Sequence, residues 1–151
     1  MAVRAGQPKP DISTVDALRK TLLAAKSIAY SDSSSGTYLS NAGFKKLGIA
    51  DEIAGKTRKV RGPPSGEPVA AVVARGEAEI GFQQVAEMIH VPGIDFVGTV
   101  PSEIQPPTLY VGAIPAKSQQ SEAATALLHS LSSADAAAVI TKAGMKPLLP
   151  H

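Results

Sequence analysis

Between Ser27 and Ile49 the chain reads SIAYSDSSSGTYLSNAGFKKLGI, and that order of residue types permits few local structures. Ser27 to Ser31 is the short apolar run of a buried strand. A Ser/Gly turn follows, and then Tyr38, Leu39, Ala42 and Leu47 recur at helical spacing until Gly48 closes the segment. A strand that empties through a hydroxyl-rich turn into a helix start gathers unpaired backbone N–H groups at the positive end of the helix dipole. Such a turn can hold a small anion. Ser, Asp and Gly clusters also make ordinary caps and connections, so the pattern alone leaves both readings open.

The same alternation runs along the whole chain. Val3 and Arg4 read as the tail of a strand, followed by a loop with Gly6, Pro8 and Pro10. Val15, Leu18, Leu22 and Leu23 predict a helix from about Thr14 to Ala25, with Ser13 and Asp16 resembling a capping box. A short helical turn is expected at Asp51 to Gly55, a strand at Thr57 to Arg61, and a complete break at GPPSGEP, Gly62 to Pro68. Beyond it come a helix from Val69 to Gly76, a buried strand at Glu79 to Phe82 and a helical segment at Val85 to Ile89. After Pro92, Ile94 to Val97 and the longer apolar run Thr108 to Ile114 read as strands. Two alanine-rich helices end the pattern, Ser121 to Leu131 and Ala134 to Ala143, the second capped by Ser132 or Ser133 and stopped by Gly144. Strands alternating with helices predict an α/β fold with a largely parallel sheet. In such sheets ligands sit beyond the carboxyl ends of strands. Ser33 to Thr37 and Gln83 with Gln84 both meet that condition and are expected to face one cleft.

Composition narrows the function classes. At 151 residues, 44% hydrophobic, the chain has enough apolar content for a core of one ordinary domain. Fifteen Lys and Arg stand against 13 Asp and Glu, and aromatics make up only 4%. The basic cluster Lys56, Arg58, Lys59 and Arg61 lacks interleaved stacking aromatics, so it reads as a solvated edge and not a nucleic-acid surface. The absence of cysteine removes disulfides, thiolate metal sites and a cysteine nucleophile. No apolar run approaches the roughly 18 to 20 residues that cross a bilayer. The start MAVRAGQPKP has no apolar signal-peptide core.

Three segments in order, IAYSDSSSGTYLSNAGFKKLGI, VARGEAEIGFQQVAEMI and VGTVPSEIQPPTLYVGAI, resemble the later portion of type II periplasmic solute-binding proteins, most closely the molybdate-binding branch. The likeness spans essentially this whole chain, which corresponds to about the last three fifths of such a protein. It implies an α/β, type II periplasmic-binding-protein-like fold with one near-complete lobe plus part of a second. Residues 1–26 would be a partial first lobe and crossover, 27–107 the second lobe, and 108–151 a crossover strand with helices returning to the first lobe. The implied function is binding of a small anion, a molybdate- or tungstate-like oxyanion or a di- or tricarboxylate, for an ABC-type transporter permease in the periplasm of a bacterium, with no cofactor and no catalysis. Molybdate binders place a tyrosine near the position of Thr108. Here Thr108 and Leu109 stand there and Tyr110 comes a residue or two late, which turns a strand side chain to the other face. A related branch acts as aconitate isomerase, so isomerisation of a small tricarboxylate is the alternative, and a truncated interaction module without ligand is another.

On this reading Ser34, Ser35, Gly36 and Thr37 offer hydroxyl and backbone donors to the anion, and Gln83 and Gln84 supply further amide donors. Asp32 and Glu87 are the carboxylates available as a base to an isomerase, and Asp32 is equally suited to capping the Ser-rich turn. His90, His129 and His151 show no metal-ligand spacing. Tyr30 and Tyr38 read as packing residues. The helices near the end present Leu127, Leu128, Leu131, Val139 and Ile140 without a sheet to cover, which predicts a homodimer.

Overall fold

A computed structural model describes residues 1–148, so His151 lies outside the described residues. The chain divides into two compact units, 1–107 and 108–151. The first holds a five-stranded sheet built from β1 (Ala2–Arg4), β2 (Ile28–Ser31), β3 (Thr57–Val60), β4 (Ile80–Phe82) and β5 (Ile94–Phe96), in the order β3-β2-β4-β1-β5. The three adjacent strands β3, β2 and β4 are parallel, with Tyr30 opposite both Lys59 and Phe82. The expected α/β architecture is present, but the sheet is mixed: β1 runs antiparallel between β4 and β5, with Val3 opposite Ile80 and Asp95. Three residues carry no directional signal, and only the pairing partners decide which way such a strand runs.

Helices cover both faces, which is why the central strands lack polar alternation. On one side α1 (Val15–Ala24) buries Leu18 and Leu22 against Ile28, Ile80 and Phe82. Its cap is Thr14, whose side chain accepts from Ala17 N, and not Ser13; the Ser13 N–H instead donates to Asp11 Oδ1. On the other side α5 (Val69–Ala74) packs Val69, Val72 and Val73 over Ala29 and Val60. That approach is close enough to require Gly81, where an added Cβ would lie 2.6 Å from Val73 Cγ2 and 2.9 Å from Val69 Cγ1.

Between β2 and β3 the chain makes α2 (Ser34–Tyr38), a π-helical turn (Leu39–Gly43), α3 (Phe44–Lys46) and α4 (Ala50–Ile53), with a 3-10 turn at Ala54–Lys56. Leu39, Phe44, Leu47, Ile49 and Ile53 join the α1 side of the core. The segment after β4 forms α6 (Val85–Met88), which buries Met88. Met1 extends β1: Val97 N donates to Met1 O and the Met1 amine donates to Gly98 O at 2.7 Å. Burial without a countercharge lowers that amine from its ordinary 8.0 to about 5.

In the second unit α7 (Ser121–Leu131) and α8 (Ala134–Lys142) form as the sequence predicts, and Ser133 caps α8 by accepting from Ala136 N. The expected strand Thr108 to Ile114 is not formed. That segment has no regular structure, and Leu109, Tyr110 and Val111 are 66%, 69% and 88% exposed. A strand exists only through ladder partners, and among the described residues this segment is not one of the sheet's strands. No single helix among the described residues is long and apolar enough to cross a membrane.

Candidate functional site

Because β3, β2 and β4 are parallel neighbours, their carboxyl ends open on one edge of the sheet. That edge receives three connections: Asp32–Thr37 after β2, Arg61–Pro68 after β3, and Gln83–Gln84 after β4. The residues singled out in sequence therefore do share an edge. Hydrogen bonds stitch the connections together. Asp32 N donates to Val60 O, Gly62 N donates to Asp32 Oδ1 at 3.0 Å, and the Gln105 amide donates to Ser35 O at 3.1 Å.

The turn itself is a chain of hydroxyls. Ser31 Oγ lies 2.6 Å from Ser33 Oγ, which lies 3.1 Å from Ser35 Oγ. Ser31 is the one polar residue buried in the described core, at 2% exposure, while Ser34 is exposed and Ser35 half-buried. The first intrahelical bond of α2 runs from Thr37 N to Ser33 O, so the N–H groups of Ser34, Ser35 and Gly36 precede it. Those three donors are the orphan groups of a helix start. The Thr37 hydroxyl donates back to Asp32 O at 3.4 Å. Gly36 is buried, and a Cβ there would meet Ser31 O at 2.0 Å and Ser31 Oγ at 2.7 Å. Its side-chain direction thus points at the strand, and only its N–H can serve a ligand.

Gln83 has a defined structural task. Its Oε1 accepts from Val69 N at 2.8 Å and so caps α5, leaving the amide nitrogen as the part that could donate elsewhere. Gln84 is the N-cap residue of α6 and is half-buried. Asp32 is exposed at the rim and Glu87 is exposed on α6. Tyr30 packs edge-on against Phe44, as expected of a packing residue, and the Tyr38 hydroxyl receives a hydrogen bond from Lys46 Nζ. Among the described residues no group of acidic and histidine side chains could hold a metal ion. A solvent-open depression of about 350 Å³ lies beside the edge, lined by Arg58, Lys59, Arg61, Gly66, Glu67 and Glu77. There Arg75 pairs with both Glu67 and Glu77, and these charge-assisted bonds hold both carboxyls below their usual range.

Sequence reasoning passed over Ser31, read as a strand residue, and Gln105, 70 positions from the carbonyl it binds. Ser31 had a signal, since a hydroxyl is the odd member of an otherwise apolar strand. Gln105 had none, sitting in a proline-rich connection.

Residues 1–146 match the family of bacterial extracellular solute-binding proteins. The chain belongs to that family. As a solute-binding protein of this kind it is also 53% identical over 148 residues to an aconitate isomerase from a Pseudomonas species, an alignment covering 98% of this chain and 55% of that protein. The chain thus spans about half the length of the relative it matches.

Proposed function

We propose that this solute-binding chain contributes to a site for a small tricarboxylate, and that the complete protein interconverts the cis and trans forms of aconitate. The observation that carries this reading is the 53% identity, across nearly the whole chain, to a protein named aconitate isomerase. It favours isomerisation over delivery of molybdate to a permease, the reading the family resemblance placed first. The family description, of extracellular binding proteins, supports a periplasmic or extracellular setting.

The chemistry suits an edge rich in neutral donors. Moving the double bond of aconitate breaks a C–H bond on the CH2 carbon and forms one on the former vinyl carbon. Between these steps negative charge spreads into the neighbouring carboxylate. Donors aimed at that carboxylate stabilise the charge as it develops. The N–H groups of Ser34, Ser35 and Gly36, the Ser34, Ser35 and Thr37 hydroxyls and the Gln83 and Gln84 amides are the proposed donors. Asp32, exposed at the same rim, is the carboxylate proposed as base.

The test is turnover of cis-aconitate to trans-aconitate, followed chromatographically, with Asp32→Asn beside the unchanged chain. Asparagine keeps an acceptor for Gly62 N but cannot take a proton, so thermal stability should hold while turnover falls at least about a hundredfold. Tight binding of molybdate without binding of aconitate would return the chain to oxyanion transport.

A further inference from the structure

The connection after β3 brings little packing of its own to the candidate edge, since Pro63, Pro64, Ser65 and Gly66 are all exposed. Polar contacts hold it instead. Glu67 N donates to Arg61 O at 2.9 Å and closes the loop on itself, and Gly66 lies so near that carbonyl that a Cβ would stand 1.9 Å from its oxygen. Two contacts reach out from the closed loop. At one end Gly62 N donates to Asp32 Oδ1 at 3.0 Å. At the other, Glu67 accepts both Nη1 and Nη2 of Arg75, at 2.7 and 2.8 Å, a matched pair of bonds that fixes direction as well as distance. Arg75 is itself anchored. It stands at the end of α5, its Nε donates to Glu77 Oε1 at 2.6 Å, and Glu77 Oε2 accepts Arg58 Nη2 of β3 at 3.2 Å. An isolated surface pair contributes little, but a forked arginine within a series of linked charges holds its partners in one geometry.

We propose that Arg75 is a positioning residue for the Asp32 carboxylate, acting through Glu67 and the closed loop to keep the Gly62 N–H on Asp32 Oδ1. This deepens the functional reading above and rests on it for the role of Asp32 as base. Asp32 is exposed, so no surrounding core fixes its side chain, and the Gly62 N–H is the contact that does. With Oδ1 held by a backbone donor, the carboxylate cannot turn without losing that bond, and Oδ2 is left to take the proton from the CH2 carbon. Arg75 touches neither Asp32 nor the reacting atoms. Its effect is on geometry alone, and a displacement of about 1 Å at a reacting group can cost about a hundredfold in rate.

Two measurements on the full chain decide it. Amide exchange followed by NMR, without substrate, should be about tenfold faster at Gly62 in Arg75→Gln and in Glu67→Ala, while the amides of β2 and β4 exchange as before and so report an intact sheet. Unchanged protection of Gly62 in both variants overturns the proposal whatever the substrate proves to be. In turnover of cis-aconitate, Arg75→Gln should lower kcat about tenfold or more and leave KM within about twofold, because a misplaced base slows the chemical step without removing a binding group. Placed on Asp32→Asn, the same substitution should cost nothing further, since the group it positions no longer takes a proton. An equal loss on both backgrounds marks a general structural effect and overturns the positioning role, as does an unchanged kcat. Faster exchange at Gly62 in a chain that turns over no aconitate leaves the clamp on Asp32 standing and removes the functional reading instead.

Discussion

Replacing Gly36 by alanine should cost far more stability than a helix-start glycine ordinarily would, and the structure says why. The added Cβ would sit 2.0 Å from Ser31 O and 2.8 Å from Ser31 C, inside the 3.0 Å that such atoms do not cross. The obstacle is strand backbone, so no rotamer change relieves it, and α2 must retreat by about 1 Å. Overpacking of this kind costs about 1–3 kcal/mol, and loss of the Gln105–Ser35 hydrogen bond adds about 1 kcal/mol. A total near 3 kcal/mol lowers the melting temperature of a chain this size by about 6–12 °C. Gly55→Ala is the control: nothing lies within 4 Å of its Cβ and its φ is not positive, so alanine should be neutral or stabilise by up to about 1 kcal/mol. Urea unfolding of both variants decides the matter. If Gly36→Ala lies within about 1 kcal/mol of the unchanged chain, the close seat of α2 on β2 is wrong, and with it the burial of Ser31.

Gln83→Leu should cost about 1–3 kcal/mol by leaving the buried Val69 N–H without its acceptor, whereas Gln83→Glu, which keeps an oxygen there, should cost less; equal losses in denaturant melts would contradict the cap. In a chain beginning at Met1, the amine is lowered to about 5 when folded and titrates near 8.0 when unfolded, so the unfolded state binds the extra proton between those values and stability rises with pH across that window. The rise should approach about 4 kcal/mol, and an N-terminal extension should flatten it. Glu67 and Glu77 act in the same sense at lower pH: their lowered carboxyls stabilise the fold above the usual carboxylate range and lose that contribution as pH falls through their folded values. Leu127, Leu131 and Val139, at 59%, 56% and 70% exposure, should drive self-association that sedimentation detects and that Leu127→Glu with Val139→Glu abolishes; a monomer at all concentrations would refute it.

The parts of this fold that the sequence made legible are those fixed by local chemistry. The helix α7 follows from alanine-rich helical periodicity, and α8 from the same periodicity with a serine cap and a glycine stop within a dozen residues. What escaped depends on distant partners. Thr108 to Ile114 has every compositional mark of a strand, yet without a ladder it remains irregular. β1 was visible as a strand, but its antiparallel place between β4 and β5 rests on pairing with residues far along the chain, Ile80 and Gly81 on one side and Ile94 to Phe96 on the other. The same division runs through the site. Parallel strands made it predictable that the serine turn and the glutamines share an edge, while the use of Gln83 Oε1 as the cap of α5 was not, because an amide serves equally as donor or acceptor.

The geometry of the serine turn also joins stability to specificity. A hydroxyl in the last position of a buried strand is a poor packing residue, and Ser31→Ala or Ser31→Val would suit the core better by hydrophobicity alone. Gly36 is equally poor as a helix former. Together they do something neither does singly. The glycine lets α2 close over the strand end, closure removes water from the inner hydroxyl, and the lack of water leaves that hydroxyl one neighbour to donate to. The direction of the Ser31–Ser33 contact is therefore set by backbone packing and not by any charge at the site. Reopening the seat through Gly36→Ala moves the N–H groups that start α2 and should weaken aconitate binding along with stability, whereas Ser34→Ala, at an exposed position before the first helical bond, should touch binding and leave stability almost unchanged.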